Sequence, residues 1–472
     1  MRILWVCNIM LPRIAKELGV EGSAKEGWLS GLCDTILERR QENEIELHVA
    51  FPANKEQDGM SYTVDAGNGK LYAHSFYEDI SHAERYDNAL EASLLQIIEK
   101  IQPDVVHCFG TEYAHTLAVA KCFKHPERLL IGMQGVCRVI AEAYMADLPE
   151  KVQNSLTFRD WLKQDSIKQQ QQKFVLRGKR EAEILKLAGN VTGRTAFDHD
   201  YVQKCNPKAE YYTMNETLRG CFYEGQWVYE NCEKHTIFLS QGDYPLKGLH
   251  YLLIAAGRLK VRYPDLKINV AGNSLVNDKT IKDKIKISGY GSYLRHLIAE
   301  NGLEDRIHFL GRLNAEEMKA QYLKCGLYVC CSANENSPNS LGEAMLLGVP
   351  CVAADVGGIS SLFTRGEDGI LYSGYEYVEK DINNTCSLNK NENLGCDSEL
   401  KNVYENSKEQ KISKLERISA NLESAIDEMW KNQEKMLYYC KNAREHARKT
   451  HDKEQNYRIL TEIYAKITNA ER

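Results

Sequence analysis

The chain has 472 residues, is 43% hydrophobic and 27% charged, carries a formal net charge of −6 and contains 15 cysteines. That length exceeds what one core supports and indicates two to three domains, and the acidic balance argues against nucleic acid as a main partner. The cysteines are scattered, odd in number and without a C-x-x-C pair, which excludes a disulfide framework or a zinc-site pattern and fits reduced thiols in a cytosolic protein.

The opening run M-R-I-L-W-V-C-N-I-M-L-P is short, holds Asn8 and is followed by Arg13, Lys16 and Glu17, so it reads as a buried first strand and not as a leader. Strands are expected at Ile3–Cys7, Ile45–Phe51, Lys70–Ser75, Val105–Phe109, Leu129–Met133 and Tyr211–Met214, and then at Thr236–Ser240, Ile268–Ala271, Ile307–Leu310, Leu327–Cys331 and Cys351–Ala354. Short apolar runs separated by helix-length amphipathic stretches indicate parallel sheets covered on both faces. Two such series in succession predict an α/β protein of two doubly wound domains. The first is placed at residues 1–225 and the second at 234–440, with a break in the aperiodic stretch between Phe222 and Lys234. Residues 376–407 are polar and are expected to form a surface insertion, partly mobile. Helical periodicity returns from Ile412 to Ala443 and from Lys453 to Ile467. No segment approaches the roughly 20 apolar residues that span a bilayer.

The most specific chemical signal is the run from Glu335 to Gly358, E-N-S-P-N-S-L-G-E-A-M-L-L-G-V-P-C-V-A-A-D-V-G-G. It places a loop carboxylate, Glu335, after an apolar strand. A second, Glu343, is expected to open a helix over Glu343–Leu347. A helix N-terminus at the carboxyl edge of a parallel sheet offers free N–H groups to a phosphate.

This run resembles the E-x7-E signature of retaining glycosyltransferases of the family-4 type. The resemblance implies the GT-B fold, two facing Rossmann-like domains with a C-terminal helix, here residues 441–472, crossing back to the first. It implies that Glu335 holds the transferred sugar and Glu343 the ribose. Asn339, Ser340 and Leu341 would serve the diphosphate. The segment L-S-Q-G-D-Y-P-L-K-G resembles the family's donor-domain entry, where Lys247-Gly248 match the Lys-Gly pair. A lysine at a helix start is poorly placed for the macrodipole and needs an anion beside it, which the leaving diphosphate supplies. The family's arginine a few residues earlier is replaced by Gln241 or Gly242, and Arg194 and Arg312 are the alternatives considered.

Gly272 and the pair Arg312 and Leu313 resemble the backbone corners at the nucleotide base, and Gly22 and Gly27 the glycine loop after the first strand. On the acceptor or transferred-sugar side stand Gln134, where many relatives carry His, and Glu112 and His115 beyond the strand that contains His107. His107 itself is expected in the core. Asp198-His199-Asp200 is read as a chance D-x-D. The basic stretch Arg159–Arg180 is either a solvated helix face or a peripheral membrane contact.

The implied substrate is a UDP- or GDP-linked sugar, with no cofactor and no metal. The implied acceptor is a saccharide, lipid-linked or other glycoconjugate, in bacterial polysaccharide or glycoconjugate assembly. The implied location is the cytoplasm, at the inner face of the membrane if the basic stretch binds it. Two other readings stay open: a sugar phosphorylase or synthase on the same fold, and a non-catalytic nucleotide-sugar-binding partner of another transferase.

Overall fold

A computed structural model of the protein describes residues 1–20, 27–39, 44–65, 69–276, 285–376 and 399–469. Among the described residues, fourteen strands form two sheets. The first sheet contains β1 (Arg2–Val6), β2 (Glu46–Ala53), β3 (Ser61–Asp65), β4 (Lys70–Tyr77), β5 (Val105–Phe109), β6 (Leu129–Gly132), β7 (Asn190–Gly193) and β8 (Glu210–Thr213). Its order is β3-β4-β2-β1-β5-β6-β7-β8, and only β3 runs antiparallel, at the edge. The second sheet contains β9 (Glu233–Leu239), β10 (Lys267–Ala271), β11 (Ile307–Gly311), β12 (Cys325–Cys330), β13 (Cys351–Asp355) and β14 (Ile370–Ser373). Its order is β11-β10-β9-β12-β13-β14, parallel throughout.

The expected strands are all present to within a few residues at their ends, and β3, β7 and β14 join them. The central strands are buried along their whole length, as β5 and β12 illustrate. Helices must therefore cover both faces, which is why these strands read as continuous apolar runs. In the first domain two separate apolar layers flank the sheet.

The link between the domains is not loose. Trp227 is buried, its backbone N–H bonds the Leu347 carbonyl at 2.8 Å and its indole N–H bonds the Cys325 carbonyl at 2.8 Å. Residues 143–167 of the first domain also reach across. Ala143, Tyr144, Ala146, Leu148 and Ile167 pack in the second domain's core, and the Asp160 carboxylate accepts the Gly289 N–H at 2.8 Å.

The segment expected as a polar insertion contains the start of a helix, Glu399–Lys431, whose described part from Leu415 onward packs on the second domain. Residues 377–398 lie outside the described residues. The helix Gln433–Thr450 continues along the second domain, where Arg444 Nε donates to the Leu346 carbonyl at 3.1 Å. The chain then turns at His451, and the last helix, Lys453–Asn469, returns to the first domain. Its Tyr464 is fully buried there, with the hydroxyl 2.8 Å from Trp5 Nε1 and 2.8 Å from His107 Nδ1. His107 is a core residue of β5, as expected, and burial lowers its pKa to about 3.

Candidate active site

The carboxyl ends of β1, β9 and β12 face one cleft between the domains. A cavity of about 240 Å³ opens there, lined by Gly27, Trp28, Leu218, Arg219, Ser240, Gln241, Lys247, Met318, Asn339, Ser340 and Glu343. Five residues that the sequence assigns to a donor site, Gly27, Lys247, Asn339, Ser340 and Glu343, are thereby brought onto one surface.

Lys247 ends a 3-10 turn, Pro245–Lys247, and Gly248 begins the helix Leu249–Arg262 at φ +71°. A Cβ on Gly248 would lie 1.9 Å from the Cys331 carbonyl oxygen, so only glycine lets this turn sit against β12. The turn aims Lys247 Nζ at Glu335 Oε1, 2.5 Å away, and Ser332 Oγ donates to the same oxygen at 2.7 Å. Burial works against the ammonium, but the Glu335 carboxylate and Tyr244 outweigh it and hold the lysine well above its ordinary pKa.

Glu335 lies in the loop after β12, and that loop is held closely. Gly357, at φ +55°, would carry a Cβ 2.0 Å from the Glu335 carbonyl oxygen, and the Gly358 N–H donates to that same carbonyl at 2.9 Å. The D-V-G-G at the end of the motif is thus the surface against which the glutamate loop rests. Its next residue, Asn336, is buried and bonds across the domain interface. Nδ2 donates to the Gln134 carbonyl at 2.9 Å and to Asp198 Oδ2 at 2.8 Å, while Oδ1 accepts from Thr195 Oγ1 at 2.6 Å.

The helix expected to open at Glu343 begins four residues earlier, spanning Asn339–Leu347, so Glu343 stands in its second turn. Helix geometry leaves the N–H groups of Asn339 and Ser340 without an intrahelical acceptor. Leu341 does not contribute in the same way: its N–H bonds the Pro338 carbonyl at 3.0 Å and its side chain is in the core. Ser340 is oriented by two buried tyrosines, with Tyr322 Oη donating to its carbonyl at 2.9 Å and Tyr328 Oη to its Oγ at 2.8 Å.

Glu343 is buried and its Oε1 accepts from Arg219, at 2.8 Å from Nε and 2.7 Å from Nη2. Burial pushes its carboxyl up to about 7, with the Arg219 guanidinium opposing the rise. Arg219 was not singled out from sequence. Its cue is its place three residues before the aperiodic interdomain stretch that starts at Phe222.

Other expectations are corrected. His115 does not face the cleft: it is fully buried in the helix Ala114–Cys122, with Nδ1 2.6 Å from Glu78 Oε2, because that helix is enclosed on nearly every side. Arg194 is not available to a phosphate. It is buried, ion-paired with Glu216, and donates to the Gln134 carbonyl at 3.3 Å. Glu112 accepts the Gly135 N–H at 2.9 Å and so supports the Gln134–Gly135 corner without lining the cavity. Gly272, Arg312 and Leu313 lie at the corner of β10 and β11. Gly272 N–H bonds the Gly311 carbonyl at 2.8 Å and Arg312 Nε bonds Asn273 Oδ1 at 3.2 Å, outside the lining of the cavity. Gly22 lies outside the described residues.

Asp198-His199-Asp200 opens the helix Ala196–Cys205, where Asp198 is a buried capping residue and the holder of Asn336. Among the described residues, no group of three or more His, Cys, Asp or Glu is arranged to hold a metal ion. Nor is any helix among them long and apolar enough to cross a membrane.

Residues 227–409 match the family model described as Glycosyl transferases group 1. The D-inositol 3-phosphate glycosyltransferase of Corynebacterium urealyticum is 31% identical over 137 residues, covering 28% of this chain and 29% of that protein. That of Geodermatophilus obscurus is 28% identical over 134 residues, covering 26% and 30%. The match thus spans less than a third of these curated relatives. Among solved structures, sucrose-phosphate synthase from Thermosynechococcus elongatus superposes with a TM-score of 0.65 at 12% identity, covering 100% of both chains. Anabaena HepE in complex with UDP-glucose superposes at 0.59 and 16% identity, covering 99% of this chain and 100% of that one. At such identities the likeness is one of fold. The chain is an α/β protein of GT-B architecture whose second domain matches the group 1 glycosyl transferases.

Proposed function

We propose that the protein is a retaining glycosyltransferase, moving a sugar from a UDP- or GDP-sugar to a saccharide, lipid-linked or other glycoconjugate acceptor. One observation carries the reading: both motif carboxylates, Glu335 and Glu343, hold a cation at an interdomain cavity that a helix N-terminus also lines. A diphosphate is the ligand chemistry that uses two cations and free N–H groups together.

In this reading Lys247 stabilises charge on the departing phosphate, as the N–H groups of Asn339 and Ser340 do, and these donors do the work of a metal cation. Glu335 binds hydroxyls of the donor sugar and Glu343 those of the ribose. The base lies toward the Gly272 and Gly311 corner. The acceptor approaches from the Gln134 side of the first domain, on the face of the sugar that the diphosphate leaves, so configuration is kept. The Asn336 contact to the first domain favours a closed cleft that limits water and hence futile hydrolysis.

A lipid-linked acceptor would suit the exposed side chains Leu156, Phe158, Trp161 and Leu162, which stand beside exposed Lys151, Lys163 and Lys168. The proposed setting is polysaccharide or glycoconjugate assembly at the cytoplasmic face of a membrane.

The test follows a panel of UDP- and GDP-sugars by proton NMR, watching donor consumption and the anomeric configuration of the product. The expected result is consumption of at least one donor with retained configuration, abolished in Glu335→Ala while nucleotide affinity persists. An inverted product would refute the retaining assignment. No consumption by the wild type, with nucleotide still bound, would favour a non-catalytic binding role.

A further inference from the structure

The resting cavity is electrostatically closed on itself. Lys247, which lines it, is paired with Glu335 just behind the lining, and Arg219 with Glu343, so each cation at the cavity already has a carboxylate partner. A helix N-terminus alone supplies only about half an elementary charge. A diphosphate entering this space therefore draws on the cations of these two pairs.

The second domain has no further cation to offer at the place where the family resemblance expects one. Gln241 and Gly242 stand there, and a Cβ on Gly242 would lie 2.8 Å from Leu249 Cδ2 and 3.0 Å from Val270 Cγ1, so a longer side chain at 242 would have to displace Leu249. The first domain is shaped to bring one in. Gly27 leaves room for the Arg219 stem, since a Cβ at that position would stand 2.3 Å from both Arg219 Cγ and Cδ. The guanidinium lies over the Phe222 ring, 4.7 Å from its centroid, which fixes its plane. Its bonds from Nε and Nη2 both fall on a single oxygen of Glu343. A guanidinium has five N–H donors, so Arg219 can engage an anion on its cavity side.

We propose that Arg219 is the second diphosphate-binding cation of the donor site, supplied by the end of the first domain where the second domain carries the uncharged Gln241 and Gly242, and that nucleotide entry draws its guanidinium from Glu343 onto a phosphate oxygen. This rests on the nucleotide-sugar reading given above. The exchange has a consequence for Glu343: released from the arginine, its carboxylate is free to accept hydroxyl groups of the ribose. Gly27 then acts by admitting the arginine as well as by bringing backbone near the ligand. Arg219 contacts the second domain while belonging to the end of the first, so diphosphate binding also ties the two domains together.

The test is calorimetric titration of the wild type, Arg219→Gln and Arg219→Lys with UDP, GDP and ADP, alongside ligand-observed NMR with the matching nucleosides. Circular dichroism melts check that each variant is folded. The expected result is that Arg219→Gln weakens the preferred diphosphate at least about tenfold, the step that corresponds to about 1.4 kcal/mol. Nucleoside binding should stay within about twofold, and Arg219→Lys should recover part of the loss because a point charge replaces the fork. Unchanged diphosphate affinity in Arg219→Gln overturns this inference and leaves the glycosyltransferase reading standing. Equal losses for diphosphate and nucleoside also overturn it, since they mark Arg219 as a structural partner of Glu343. A wild type that binds none of the three diphosphates overturns both.

Discussion

Replacing Tyr464 with phenylalanine removes one oxygen atom and tests how the terminal helix is held on the first domain. In the folded protein the Trp5 indole N–H donates to the Tyr464 hydroxyl at 2.8 Å, and the hydroxyl lies 2.8 Å from His107 Nδ1, with all three side chains fully buried. The hydroxyl accepts from Trp5 and also bonds His107 Nδ1, as donor or acceptor according to the imidazole tautomer. The His107 ring has no second partner to fall back on, because Nε2 is itself buried without one. The substitution therefore strands two buried polar groups, each costing about 1–3 kcal/mol, and the sum is about 3 kcal/mol with little change in volume. A multidomain chain need not unfold in one step, so the readout is hydrogen exchange by mass spectrometry over the helix Lys453–Asn469. About 3 kcal/mol corresponds to exchange about a hundredfold faster in that helix, while the second sheet should be nearly unaffected. A change below about threefold in the helix, or equal acceleration across both domains, would refute the reasoning.

Gly248→Ala should destabilise the protein by about 3 kcal/mol or more, because a positive φ is combined with a Cβ 1.9 Å from the Cys331 carbonyl; thermal denaturation checks this, and an unaltered melt contradicts it. Asn336→Ala removes three hydrogen bonds across the domain interface and leaves Asp198 and the Gln134 carbonyl each short of a donor. The expected cost is about 2–3 kcal/mol of interdomain affinity, seen as a larger radius of gyration in small-angle scattering, and an identical profile would count against it. His446 Nδ1 lies 2.6 Å from the buried Asp368, whose side-chain hydrogen bond raises the imidazole pKa above 6.5. The raised value means that the pair stabilises the fold fully below about pH 6.5 and that this contribution is lost as pH rises through the folded-state pKa. The melting difference between wild type and His446→Gln should therefore be larger near pH 5.5 than near pH 8.5, and the opposite trend would show that the pair is not ionic.

The sequence revealed the architecture well because both sheets are buried on two faces and their strands appear as uninterrupted apolar runs. The strands that escaped notice lack that signature. β3 is an antiparallel edge strand with mostly exposed positions, and β7 and β14 are four residues long with little room for a pattern. Glu335, Glu343 and Lys247 were legible because their chemistry is written into one contiguous motif and one Lys-Gly pair. Arg219 and Asn336 were not, because their partners lie 124 and 138 residues away, at Glu343 and Asp198, and no local period encodes such a pairing. His115 was misplaced for a related reason. Position just beyond a strand suggests the cleft, but whether the next helix shows that side chain to solvent depends on its neighbours, here β4 and Glu78. The D-x-D at Asp198 reads as chance in the sequence, although Asp198 is a capping carboxylate that also holds an asparagine of the other domain, a role that leaves no trace in spacing.

The central claim is that the cleft between the domains is a nucleoside-diphosphate site built around Lys247 and the motif carboxylates, and calorimetric titration of the wild type and Lys247→Ala with UDP, GDP and ADP tests it most directly. The account predicts that one of these diphosphates binds the wild type with one-to-one stoichiometry and that Lys247→Ala weakens it by at least about tenfold, or about 1.4 kcal/mol. No binding by the wild type, or equal affinity in the two proteins, would contradict it.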